Sequence, residues 1–145
     1  MADGSGGPKL KLLVPVNFST KSEMALDFAL RFSHGKNTEL YVFHVFEDAT
    51  KNFRRLDKLN EEYMDRMKQM VINQINRLHA HGLIHNVEDV HRRMAHGKAS
   101  VEILQMASAI RADMIIMGAV THNQFKKFAS QVPCSLVLLK RKDLV

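Results

Sequence analysis

Two hydrophobic periods alternate along the chain. Leu10 to Val16 is a short apolar run, flanked and interrupted by Lys9 and Lys11, and predicts a buried strand. Pro15 near its end limits that strand, because proline cannot donate to a ladder. Thr20-Lys21-Ser22-Glu23 has capping-box spacing, and Ala25, Phe28, Ala29 and Phe32 follow at helical intervals. Gly35 is the expected stop. Leu40 to Phe46 is a continuous β-prone run, the mark of a strand buried on both faces. A long helix is expected from Lys51 to His81, with Leu56, Leu59, Tyr63, Met67, Met70, Val71, Ile75 and Leu78 on one stripe and Gly82 closing it. Val87 to Ala95 is more polar and reads as an edge strand. Gly97 introduces a helix whose apolar positions are Val101, Ile103, Leu104, Met106 and Ala107. Asp113 to Gly118 predicts a strong strand, His122 to Ser130 a short helix, and Cys134 to Leu139 a fifth strand.

The order βαβαβαβαβ predicts an α/β domain: a single open, parallel, five-stranded sheet with right-handed crossovers and helices on both faces. Ligands of such sheets sit beyond the carboxyl ends of the strands, where the strand order reverses. If the first and fourth strands are neighbours, Asn17, Phe18 and Ser19 meet Met117, Gly118 and Ala119 there.

Composition narrows the classes. A chain of 145 residues with 46% hydrophobic and 25% charged content is expected to form one domain with one core. Residues 1–8, rich in glycine, read as a flexible leader and residues 9–145 as the domain. No stretch approaches the roughly 18 apolar residues of a membrane span. The net charge of +6 is spread over separated lysines and arginines without interleaved aromatics, so no nucleic-acid partner is expected. The single cysteine, Cys134, lies in an apolar run and reads as a structural thiol, consistent with a reducing, cytoplasmic setting.

Taken in order, Leu12-Leu13-Val14-Pro15-Val16-Asn17-Phe18-Ser19, a capped helix, Leu40 to Val45 with His44-Val45, Gly97-Lys98-Ala99-Ser100-Val101-Glu102-Ile103-Leu104, Ala112 to Gly118, and Val132-Pro133-Cys134-Ser135-Leu136-Val137-Leu138-Leu139 resemble the universal stress protein family over about residues 9–142. The resemblance implies an adenine nucleotide alpha hydrolase-like fold with sheet order 3-2-1-4-5 and, commonly, a homodimer. In the family's ATP-binding branch an aspartate ends the first strand, and a motif G-x2-G-x9-G-[ST] after the fourth holds the phosphates. Here Asn17 stands at the first place, and Gly118 is followed by no further glycine. Fourteen residues, 119 to 132, separate it from Pro133, and the short helix takes most of them. Val120 and Thr121 disfavour the positive-φ turns of a phosphate nest. The chain therefore resembles a branch lacking the phosphate loop. The candidate ligand pocket comprises Pro15, Val16, Asn17, Phe18, Ser19, Val45, Gly97, Met117, Gly118 and Ala119. No cofactor is expected, although an adenine nucleotide remains possible through hydrogen bonds from Asn17 to a base or ribose.

Other constellations carry less. His79 and His81 are two apart, so on a helix they diverge, and with His85, His91 and His96 they form no converging ligand set; no metal is expected. Ser19, Ser22 and His44 make no nucleophile elbow, and no catalytic residue is assigned. A phospho-accepting receiver needs an acidic cluster after the first strand and an aspartate after the third, where Asn17 and His96-Gly97 stand. The nine methionines, Met64, Met67 and Met70 among them, read as core filling. The last strand, Ser135-Leu136-Val137-Leu138-Leu139, is apolar and exposes an edge, for which pairing with a second copy is the natural cover. The expectation is a non-enzymatic homodimeric domain acting in stress response or on an unidentified protein partner. The alternative is a sensor of an adenine nucleotide or other small ligand at the carboxyl ends of strands one and four.

Overall fold

The computed structural model describes residues 8–47, 53–82, 90–118 and 122–140. Its elements run β1 (Leu10–Pro15), α1 (Thr20–Ser33), β2 (Thr38–Phe46), α2 (Phe53–Ala80), β3 (Val90–His96), α3 (Ala99–Ile110), β4 (Met114–Gly118), α4 (His122–Ala129) and β5 (Ser135–Leu139). The five strands form one parallel sheet in the order β3-β2-β1-β4-β5. Leu10 pairs with Thr38 and Pro15 with Phe43, while Leu12 and Leu13 face Met114 and Ile115 on the other side. The proline closes β1, and the next residue resumes the ladder, Val16 N–H donating to Phe43 O at 2.8 Å. Asp113 ties β4 to β1 twice, its N–H donating to Lys11 O and its carboxylate accepting from Lys11 N–H, both at 2.8 Å.

Each central strand buries both faces because helices cover both. Leu12, Val14, Val42 and Ile116 join Leu26 and Leu30 of α1 and Met67, Val71 and Leu78 of α2 in one core. Leu13, Tyr41, Phe43 and Ile115 join Ile103 and Ala107 of α3 and Phe128 of α4 in the other. Fully burying a side chain of this size contributes roughly 1.5–3 kcal/mol. β3 is at an edge, as its polarity predicts; the expected start of that strand, residues 87–89, lies outside the described residues, as do residues 1–7 of the expected leader.

Two details of α1 differ from the sequence reading. Its N-cap is Ser19, one residue before the Thr20 of the expected box: Ser19 is extended (φ −86°, ψ 166°), and its hydroxyl accepts from Ser22 N–H. Thr20 is already helical. The buried stripe is Ser22, Ala25, Leu26, Ala29, Leu30 and Ser33, whereas Phe28 is 38% exposed. Small residues at 25 and 29 let the helix lie close to the sheet. Phe28 and Phe32 stack on each other at 6.1 Å, with the Lys36 ammonium 4.5 Å from the Phe32 ring. In α3, similarly, Ile103 and Ala107 are buried while Val101 is 43% exposed. Leu56 of the α2 stripe lies outside the described side chains.

Candidate functional site

Beyond the carboxyl ends of β1, β2 and β4 lie two adjoining hollows. The inner one, of about 210 Å³, is lined by Pro15, Val16, Asn17, Ser19, Lys21, Ser22, Phe43, Val45, Ala99, Ile103, Met117 and Gly118. Seven of the ten sequence-predicted residues therefore converge. Phe18 and Gly97 do not line it, and Ala119 is outside the described residues. Lys21, Ser22, Phe43, Ala99 and Ile103 were not anticipated. The outer hollow, of about 430 Å³, shares Ala99, Ile103 and Met117 and adds Glu47, Lys98, Ser100, Lys127, Phe128 and Gln131. None of these six belongs to the sequence-predicted pocket, because they come from three separate segments, the end of β2, the start of α3 and α4 with the turn after it, that only the fold assembles.

Phe18 departs for a backbone reason. Its φ is +63°, a left-handed conformation that a bulky residue rarely adopts. In this conformation the chain places Asn17 and Ser19 at the hollow and Phe18 among the aromatics of the opposite face. There Phe18 stacks on Tyr63 at 5.8 Å and tilts onto His44 at 4.9 Å, and the Arg66 guanidinium lies 4.1 Å from its ring. Gly97 instead makes the β3–α3 turn at φ +145°, its N–H donating to Phe46 O at 3.1 Å.

The polar groups at the end of β1 are engaged with each other. Asn17 Oδ1 accepts from Ser19 N–H at 3.2 Å and from the hydroxyls of Ser19 and Ser22. Ser22 Oγ in turn accepts from the N–H groups of Asn17 (2.9 Å) and Ser19 (3.2 Å). Asn17 is thus the hub of the α1 N-terminus, an arrangement in which a short polar side chain satisfies donors that the helix leaves unpaired. This sharpens the sequence reading: the Asn17 oxygen is already occupied, and its amide N–H₂ alone is left for a ligand.

Gly118 has an equally local explanation. A Cβ there would stand 2.6 Å from Lys21 Cβ and 3.1 Å from the Lys21 carbonyl carbon and oxygen. The glycine is what lets β4 end against the first turn of α1. At the start of α3, Glu47 Oε1 accepts from Ala99 N–H at 2.8 Å, so a carboxylate from the end of β2 already occupies this helix N-terminus.

His44 lies on the other side of the same strand ends. It is 7% exposed; its Nδ1 contacts Val16 O at 2.8 Å, and its Nε2 has no partner among the described residues. A carbonyl only accepts, so Nδ1 carries a proton whether the ring is neutral or charged. Burial pushes the imidazole pKa below its ordinary value; the Val16 carbonyl opposes this and Arg66 reinforces it. Cys134 is half-buried, and burial pushes its thiol up. His79 and His81 are exposed, His91 pairs with Glu39 at 3.8 Å and His96 meets the Phe46 ring edge-on at 5.0 Å. His85 lies outside the described residues. Among the described residues no group of three metal-ligand side chains converges. Nor is any helix among them long and apolar enough to cross a membrane.

The universal stress protein family model matches residues 10–135. No curated protein matches the chain. Among solved structures it is similar to a hypothetical protein whose biochemical function was assigned from its structure, with 23% identity, 92% of this chain and 97% of that chain covered, and a TM-score of 0.64. The universal stress protein UspA of Lactobacillus plantarum shares 17% identity over 92% of this chain and 99% of its own, with a TM-score of 0.61. A universal stress protein family member of Arabidopsis thaliana, solved with AMP bound, shares 14% identity over 92% and 93%, with a TM-score of 0.58. These likenesses establish the fold with its sheet order.

Proposed function

The chain belongs to the universal stress protein family, and from that premise we propose that it is a non-enzymatic, homodimeric domain of stress response or partner regulation that does not hold ATP through a phosphate loop. One observation carries the reading. Gly118, the glycine that ends β4, is committed to close packing against Lys21, and no glycine follows it in the sequence. A triphosphate needs several aimed N–H donors or cations. At this end of the sheet the Asn17 oxygen is engaged by Ser19 and Ser22, and the α3 N-terminus faces the Glu47 carboxylate.

The dimer reading rests on β5. It is the terminal strand of the sheet, and its apolar residues Leu136 to Leu139 are only partly buried. Edge-to-edge pairing of two copies would cover it. Light scattering on the order of tens of micromolar should give twice the chain mass of 16.5 kDa; a monomer there would refute the dimer. The ATP reading is tested by thermal unfolding with millimolar ATP, since a tight ligand must raise the melting temperature.

A second reading has its own support. The adjoining hollows at the carboxyl ends of β1 and β4 fit a small-molecule sensor, and an adenine nucleotide is one candidate because the Arabidopsis relative was solved with AMP. AMP that stabilises the protein where ATP does not would favour this reading over the first.

A further inference from the structure

The outer hollow differs in chemistry from a phosphate site. Its floor is apolar, built by Ile103, Met117 and Phe128, and its rim carries Lys98, Lys127 and Glu47. The two ammonium groups have no hydrogen-bond or ion-pair partner among the described residues. Glu47 is different, because its carboxylate is held on Ala99 N–H at 2.8 Å. Among the described residues, two cations without a partner against one tethered carboxylate leave about one positive charge over an apolar floor. The volume of about 430 Å³ falls in the range of small-molecule pockets, roughly 300–1,000 Å³. A polyphosphate would bring several negative charges toward Glu47 while having only two lysines to meet them. A neutral ligand would leave the lysines unused.

We propose that this hollow binds a small organic anion with an apolar body and a single charge, a carboxylate or sulfonate, its body on Ile103, Met117 and Phe128 and its charge between Lys98 and Lys127. The inference rests on the reading that no phosphate cradle exists at these strand ends, and it adds the class of ligand that the site takes instead. Ammonium groups on flexible stems act as point charges, so they suit a compact anionic head without demanding one exact geometry.

A matched pair of probes isolates the charge. 8-Anilinonaphthalene-1-sulfonate and N-phenyl-1-naphthylamine share an aromatic body, and only the first carries a sulfonate. Titrated by fluorescence into the full chain under native conditions, the sulfonate is expected to bind saturably at one site per chain and at least about tenfold more tightly than the neutral amine. Lys98→Gln with Lys127→Gln should reduce that preference to within about twofold, and Lys98→Arg with Lys127→Arg should keep it. Both positions are exposed helix-start or helix-surface sites, so folding is retained, and an unchanged melting curve verifies it. Equal affinities for the two probes, or a preference that survives the glutamine pair, would overturn the inference while leaving the proposed function untouched. ATP displacing the sulfonate competitively at micromolar concentration would overturn both.

Discussion

The two sides of the β1 carboxyl end differ in where their polar groups find partners. On the α1 side, Asn17, Ser19 and Ser22 satisfy one another, Gly118 admits Lys21, and His44 is tied to the Val16 carbonyl. On the α3 and α4 side, Lys98 and Lys127 look across an apolar hollow with no partner among the described residues. The first side is closed by its own hydrogen bonds and the second is open. Residues in the place of a family's binding motif can thus be structural, while the groups free to meet a ligand lie one element away.

Substitutions should show this contrast as a gradient of stability. Gly118→Ala should cost the most, about 3 kcal/mol, because the added methyl meets Lys21 backbone and Cβ atoms inside contact distance. Urea unfolding measures it; a change below about 0.5 kcal/mol would mean that the close approach is not rigid. Asn17→Ala should cost about 2 kcal/mol, since one backbone N–H and two hydroxyls lose a shared acceptor. Asn17→Asp, which keeps an acceptor and places a negative charge at a helix N-terminus, should fold at least as stably as the parent. If alanine and aspartate behave alike, the hub is not what holds the turn.

The third effect is pH-dependent. Burial depresses the His44 pKa in the fold, so below the ordinary imidazole value of about 6.5 the unfolded chain binds a proton that the folded chain resists. His44 therefore contributes a stability loss that grows as pH falls below about 6.5 and ends at its folded-state value, with a slope of at most about 1.4 kcal/mol per pH unit. Melting temperatures from neutral to mildly acidic pH should fall for the parent and flatten in this window for His44→Gln. Equal slopes would assign the acid sensitivity elsewhere. At the small end, Lys98→Gln and Lys127→Gln should each change stability by less than about 0.5 kcal/mol, as unpaired exposed groups should.

The parallel sheet was legible because hydrophobic period, glycine stops and element order agree from Leu10 to Leu139, whereas its strand order came from the resemblance to the family. The convergence of Asn17, Ser19, Met117 and Gly118 followed once the first and fourth strands were taken as neighbours. What remained hidden depends on three-dimensional placement. A left-handed φ at Phe18 cannot be read from a phenylalanine, and it reverses which face the side chain serves. The α1 cap moved by one residue because Ser19 and Thr20 both have capping chemistry, and the Asn17 network selects the serine. Glu47, Lys98 and Lys127 carry no local signal; their meeting requires β2, α3 and α4 to be assembled around one hollow.

The most direct test of the central claim is thermal unfolding of the purified full chain with and without millimolar ATP and magnesium. The melting temperature is expected to stay unchanged within about 1 °C, because the described polar groups at these strand ends are already engaged with one another. A rise of several degrees that grows with ATP concentration would contradict it, and would mean that the phosphates find donors despite the commitments of Asn17, Gly118 and Glu47.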